Sequence, residues 1–232
     1  MLKGRKMTKV VKLPLICEQT DENGNSVDYK DVYRILWDLQ KQTREIKNKT
    51  IQYCWEYSGF SSDYYKEYHK YPDNNEILSK KTLFGYINSK LKDDYDLYSG
   101  NLSTTIKETC KAFNNAKKDI YLGDKSILSY KSNQPLDIHD KCVILTYAES
   151  TYYVSLCLMN KGMVKQNNFK DSKIIFIILV KDKSTKTILD RCLDKAYKVC
   201  ASKLIYNQKK KLWTLNLVYT FENAPAQNLE PD

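Results

Sequence analysis

Ser103, Lys107, Lys111, Asn114 and Lys118 follow one another at steps of four, four, three and four in the stretch NLSTTIKETCKAFNNAKKDIYL. Such steps place all five on one face of a helix. A solvated helix face ordinarily mixes charges to gain i,i+4 pairs, and this row contains no acid. Ammonium groups repeated along one face suit a row of phosphates, so the chemistry on offer is the gripping of a polyanion. Composition points the same way: Lys+Arg number 38 against 28 Asp+Glu, a net charge of +10. Nineteen tyrosines interleave with the lysines, and tyrosine rings are able to stack on unpaired bases as well as pack in a core.

No catalytic constellation accompanies the basic row. Walker loops, GxGxxG, HExxH and GxSxG are all absent from the sequence. The adjacent acids Asp93 and Asp94 read as a solvated loop. Seven cysteines form no CxxC pair, and with only two histidines, His69 and His139, no zinc-ligand pattern assembles. Cys54 or Cys157 beside either histidine would make a thiol dyad, but reduced core thiols and surface histidines account for them better. The sequence therefore predicts no metal and a cytosolic protein. In MLKGRKMTKVVKLPLICEQ the lysines at 9 and 12 interrupt a short apolar run, which excludes a signal peptide or membrane span.

The elements that must position these residues begin with TKVVKLPLIC (8–17), a strand by its Val and Leu content, with Pro14 marking an edge or an end. From Asp28 the apolar residues Val32, Ile35, Leu36, Leu39, Thr43 and Ile46 recur at helical spacing, predicting a long amphipathic helix that Gly59 should break. A weaker helix is expected over 76–91. The cleanest helix covers 99–122, with Asn101 as N-cap and Leu102, Ile106, Cys110, Phe113 and Ile120 as its apolar stripe. After the turn and short run GDKSILSYK the period changes to two. KCVILTY (141–147) and TYYVSLCLMN (151–160) predict a hairpin across the polar link 148–150, KIIFIILVK (173–181) a further strand, and STKTILDRCLDKAY (184–197) a short helix. KVCASKLIYN (198–207) and LWTLNLVYTF (212–221) predict a second hairpin across QKKK. The order predicts an α+β fold, an antiparallel β-barrel interrupted after its first strand by a helical insertion.

The stretch GNLSTTIKETCKAFNNAKKDIYLGDKSILSYK resembles the hallmark of transposon-encoded TnpB proteins and of the related miniature type V-F CRISPR effector nucleases: a basic helix with an internal phenylalanine, then a short SYK-type strand entry. STKTILDRCLDKAYKVCASKLIYNQKKKLWTLNLVYTFE is similar to the last part of the barrel that precedes their nuclease domain. LWDLQKQTREIKNKTIQYCWEYSGFSSDYY resembles the start of their recognition lobe. Three such segments in the family's order span the chain from about Lys9 to Glu222.

The resemblance implies a discontinuous wedge barrel, OB-like, over 1–27 and 131–224, a helical recognition domain over 28–130, and a linker at 225–232. In the family this linker leads to a RuvC-type nuclease with Mg²⁺-binding carboxylates and a Zn²⁺ ribbon. Beyond NLEPD those positions do not exist here, so neither metal is expected in this chain. The chain would be a truncated or split effector lobe, or a natural nuclease-less form. Implied partners are guide RNA and target double-stranded DNA, with a homodimer on one guide RNA, in a prokaryotic cytoplasm. By position in the family element, Asn101, Ser103, Thr104 and Lys107 are candidates for the duplex flanking the target, with Tyr64 and Tyr65 as companions. Lys111, Lys118, Lys125 and Lys131 are candidates for phosphates, and Arg191, Lys195, Lys198, Lys209, Lys210 and Lys211 for guide RNA. Aromatics over 53–57 are candidates for contact between copies, with Trp55 assigned to the core. Two other readings stay open: a nuclease-less regulator or inhibitor bound to guide RNA or DNA, and a generic RNA-binding assembly protein.

Overall fold

Alternating Val and Leu in RKMTKVVKLPLIC produce strand β1 (Arg5–Cys17), in which Leu13 and Leu15 are buried while Val10 and Ile16 face solvent. The computed structural model describes residues 5–73 and 82–223. Among the described residues three helices follow β1: α1 (Tyr29–Tyr68), α2 (Leu83–Leu91) and α3 (Ser99–Tyr121). Strand β2 (Leu136–Ile138) leads through a 3-10 turn (Asp140–Cys142) into the β3 (Val143–Ala148) and β4 (Thr151–Cys157) hairpin. The chain closes with α4 (Lys161–Gln166), β5 (Lys173–Ile178), α5 (Lys183–Leu193), β6 (Lys198–Val199), β7 (Ser202–Asn207) and β8 (Leu212–Asn223).

Helix α1 starts where Asp28 accepts a hydrogen bond from the Lys30 N–H, and it runs unbroken through Gly59. One glycine in a helix costs only about 1 kcal/mol. Trp55 meets Phe113 and Tyr121 edge-on at 4.9 and 5.4 Å, and the Ser58 hydroxyl lies 3.0 Å from that of Tyr121, so packing on both sides carries the helix past the expected break. Of the expected helix over 76–91, residues 83–91 are helical and 76–81 lie outside the described residues. Helix α3 starts two residues before Asn101, which lies inside the first turn rather than at the N-cap. The link between β3 and β4 is shorter than expected: Glu149 and Ser150, with φ of 48° and 61°, form a two-residue turn whose twist matches the flanking strands. All seven cysteines are free; Cys54, Cys142, Cys157 and Cys192 are buried, the other three half-buried.

The strand order is β2-β7-β8-β1-β5-β4-β3, every neighbour antiparallel, with β6 pairing on β8. Strand β1 pairs with β8 over Arg5–Pro14 and with β5 over Leu15–Cys17, so Pro14, which has no N–H to donate, falls at the hand-over between partners. The expected closed barrel is not formed. Strands β2 and β3 adjoin in sequence yet end opposite sides of the order, and no pairing joins them. The start of α3 occupies the gap. Asn101 donates from Nδ2 to the Cys157 carbonyl (2.8 Å) and accepts at Oδ1 from the His139 N–H (2.9 Å), while the Tyr98 N–H bonds to the Leu158 carbonyl (2.9 Å). These bonds tie the start of α3 to the end of β4 and to the residue after β2, while the eight-stranded sheet is open with β2 and β3 at its two ends.

Leu36, Leu39 and Ile46 of α1, Ile106 of α3, Leu13 of β1 and Trp213 of β8 belong to one buried cluster, so helices and sheet share a core. One buried ion pair crosses it. Lys47 Nζ of α1 lies 2.9 Å from Asp137 Oδ2 of β2, each side chain less than a tenth exposed.

Candidate nucleic-acid interface

On α3 the groups suited to reading bases and those suited to holding phosphates are separated. Asn101 is 2% exposed, and both ends of its amide are engaged at the sheet gap. Thr104 is also buried and donates back to the Gly100 carbonyl (2.9 Å), while the half-buried Ser103 donates to Asn88 Oδ1 (3.1 Å). Lys107, Lys111 and Lys118 point outward, none with an acid partner among the described residues. The row is thus bare positive charge on a helix whose opposite side, through Leu102, Ile106 and Phe113, is core.

The GDKSILSYK segment is an irregular strap, and the expected strand entry at Ser129–Lys131 is not present. Asn48 of α1 holds it, donating to the Tyr130 carbonyl (3.0 Å) and accepting from the Tyr130 N–H (2.8 Å), and Gln40 donates to the Gln134 carbonyl (2.8 Å). The N–H and C=O of Tyr130 are thus satisfied by one side chain rather than by a ladder. Lys131 is exposed, while Lys125 pairs with Asp119. Tyr64 lies between Phe60 and Tyr68, and Tyr65 stacks on Tyr71 at 4.8 Å. Tyr65 shares a groove with Lys117 and Tyr121, at the far end of α3 from Asn101, Ser103 and Thr104. About 17 residues at 1.5 Å each, roughly 25 Å, separate the tyrosines from those intended companions.

The second concentration of charge is a cleft of about 310 Å³ between α5 and the β1–β8 ladder. Its walls include Arg191, Tyr197, Tyr219, Phe221 and Lys9. Tyr197 stacks on Tyr219 (5.1 Å, 11°) and on Phe221 (4.8 Å, 28°). The Arg191 guanidinium sits 5.3 Å from the Tyr197 ring centre, and Lys9 Nζ 5.6 Å from that of Phe221. Lys195, in a left-handed conformation at φ 61°, and Lys198 are exposed close by in sequence. Sequence reading found Arg191, Lys195 and Lys198 but missed Lys9 and the three rings. Tyr219 and Phe221 share a face by their two-residue spacing, yet the register that sets Lys9 opposite Tyr219 is a property of the ladder. Lys209, Lys210 and Lys211 form the exposed β7–β8 turn, about 30 Å along β8 from Phe221 at 3.3 Å per residue. A larger cavity, about 730 Å³, opens at the start of α3 over Leu97, Met159 and Phe169, with Lys92, Lys161, Lys165 and Lys170 around it.

No protein-family model matches the chain. The CRISPR-associated endodeoxyribonuclease Cas12f1 of Sulfoacidibacillus thermotolerans is 40% identical to it over 198 residues, which is 84% of this chain and 46% of that protein. The chain is homologous to Cas12f1. It spans about half the length of that curated relative. A cryo-EM structure of a CRISPR-Cas12f ternary complex matches with a TM-score of 0.54 at 15% identity, over 89% of this chain and 44% of that one, a likeness of fold. The resemblance read from the sequence is therefore homology to the Cas12f1 effector over most of the chain. That relative is by name a nuclease, whereas among the described residues no group of three or more His, Cys, Asp or Glu is placed to hold a metal ion. Nor is any helix among them long and apolar enough to cross a membrane.

Proposed function

We propose that the chain is the guide-RNA- and target-DNA-binding lobe of a miniature RNA-guided DNA endonuclease of the Cas12f1 kind. The observation that carries this reading is the acid-free row Lys107, Lys111 and Lys118, displayed on a helix within a chain homologous to Cas12f1. Exposed lysines on a rigid helix release counterions from phosphates and set the register of a bound duplex, while guide pairing supplies the sequence reading. Residues 1–27 and 131–224 act as the wedge, 28–130 as the recognition part and 225–232 as the linker. The last of these lies outside the described residues. Lys131 extends the phosphate path from α3, and Arg191, Lys195, Lys198 and the Lys209–Lys211 turn face the guide scaffold. Lys125, paired with Asp119, contributes only when that pair opens. Mg²⁺ and Zn²⁺ belong to the nuclease part of such effectors, so no residue of this chain is assigned to either. Two copies share one guide RNA in the prokaryotic cytoplasm, where guide and target meet.

Filter binding of the chain to the scaffold RNA encoded beside its gene, with an unrelated structured RNA of equal length as competitor, tests the reading. Preference for the cognate scaffold, with affinity falling steeply as salt rises, is the expected result. Equal affinity for both RNAs would instead mark a generic RNA-binding protein.

A further inference from the structure

We propose that the cleft between α5 and the β1–β8 ladder receives one unpaired nucleobase with its flanking phosphate, an inference that rests on the nucleic-acid reading above. Three features meet there. The rings of Tyr197, Tyr219 and Phe221 form a stack, and Tyr197 and Phe221 are each only half-buried. Two cations, Lys9 and Arg191, lie over ring faces rather than against carboxylates. The hydroxyl residues Ser184 and Thr187, from the first turns of α5, line the same space.

The acids of α5 are engaged elsewhere: Asp182 caps the helix through Thr185, and Asp190 accepts from the Tyr152 hydroxyl. The cleft lining contains no carboxylate. An anion entering it meets no carboxylate in the lining, and among the described residues Lys9 has no ion-pair partner while Arg191 donates to the neutral Tyr197 hydroxyl. A base that slides onto Tyr197 or Phe221 replaces a cation–π contact by the stronger base-on-ring stack. The displaced ammonium or guanidinium then reaches the adjacent phosphate. A base inside a duplex is held between its neighbours and cannot enter a recess between a helix and a sheet, so the cleft selects unpaired nucleotides.

The test uses the whole chain with two probes, a short oligo(U) carrying 2-aminopurine and a blunt RNA duplex with the same number of phosphates. Binding should change the 2-aminopurine fluorescence, and the ratio of oligo(U) to duplex affinity should fall about tenfold in Tyr197→Leu and be restored in Tyr197→Phe. Arg191→Gln, a surface change, should lower oligo(U) affinity with the thermal melt unchanged. If the ratio is the same in the wild-type chain and in Tyr197→Leu, with both folded by circular dichroism, the cleft is packing and the inference falls while nucleic-acid binding stands. If neither probe binds the wild-type chain at low salt, the broader reading fails and the inference with it.

Discussion

Helix α3 and the cleft under α5 both hold unpaired cations to solvent, yet they are built for different tasks. On α3 the amide and hydroxyls nearest the lysines are turned inward, where Asn101 bonds the Cys157 carbonyl and the His139 N–H and Thr104 bonds its own helix. What remains outside is charge without directionality, suited to a phosphate backbone rather than to base edges. Under α5 the cations rest on stacked rings, so charge and a flat apolar surface coincide. The lesson is that a polar residue near a basic row is no guide to base reading until its own hydrogen bonds are counted.

The sharpest way to break this contrast is to remove what holds both regions on one frame. Asp137→Asn should leave Lys47 buried without its charge partner and cost about 3–5 kcal/mol in urea unfolding, with the α3 row and the cleft lost together. Replacing both partners by Met and Leu should recover most of that loss. Asn101→Ala should strand the Cys157 carbonyl and the His139 N–H, at about 1–3 kcal/mol for each group. A loss of RNA affinity from this variant without a lower melting temperature would reverse the assignment of Asn101 to the frame. Lys107→Ala with Lys111→Ala should reduce the slope of log affinity against log salt by about one to two units. The same pair should shift stability by less than about 0.5 kcal/mol, as expected of exposed side chains.

The smallest effect concerns the anchoring of α5. Burial, reinforced by the hydrogen bond to Asp190, pushes the Tyr152 phenol from 10.0 up to about 12. The unfolded chain then loses this proton near pH 10 while the folded chain keeps it, so stability is intact below pH 10 and declines between about 10 and 12. Tyr152→Phe should remove that part of the decline, measured as melting temperature against pH.

Much of the frame was legible in the chain. The periodic stripe from Val32 to Ile46, the Leu102–Phe113 stripe and the alternating strands all identify their elements, because periodicity reports which face is buried. Gly59 misled because a local helix cost of about 1 kcal/mol yields to the packing of Trp55 and Ser58 on α3. The SYK segment misled because its partner is the side chain of Asn48, distant in sequence. The closed barrel misled for a related reason: strand order can suggest closure, but pairing between β2 and β3 depends on what fills the space between them.

By itself, the sequence determined the excess of positive charge, the order of strand, helices and strands, the acid-free lysine row and the family likeness, since each is a matter of residue type and spacing along one chain. Only the tertiary structure decided that the sheet stays open around Asn101, that the tyrosines of α1 lie at the far end of α3, and that Lys9 meets Phe221 beside Arg191 and Tyr197. Those outcomes rest on ladder register and on hydrogen bonds between residues far apart in the chain, and neither leaves a local periodic signature.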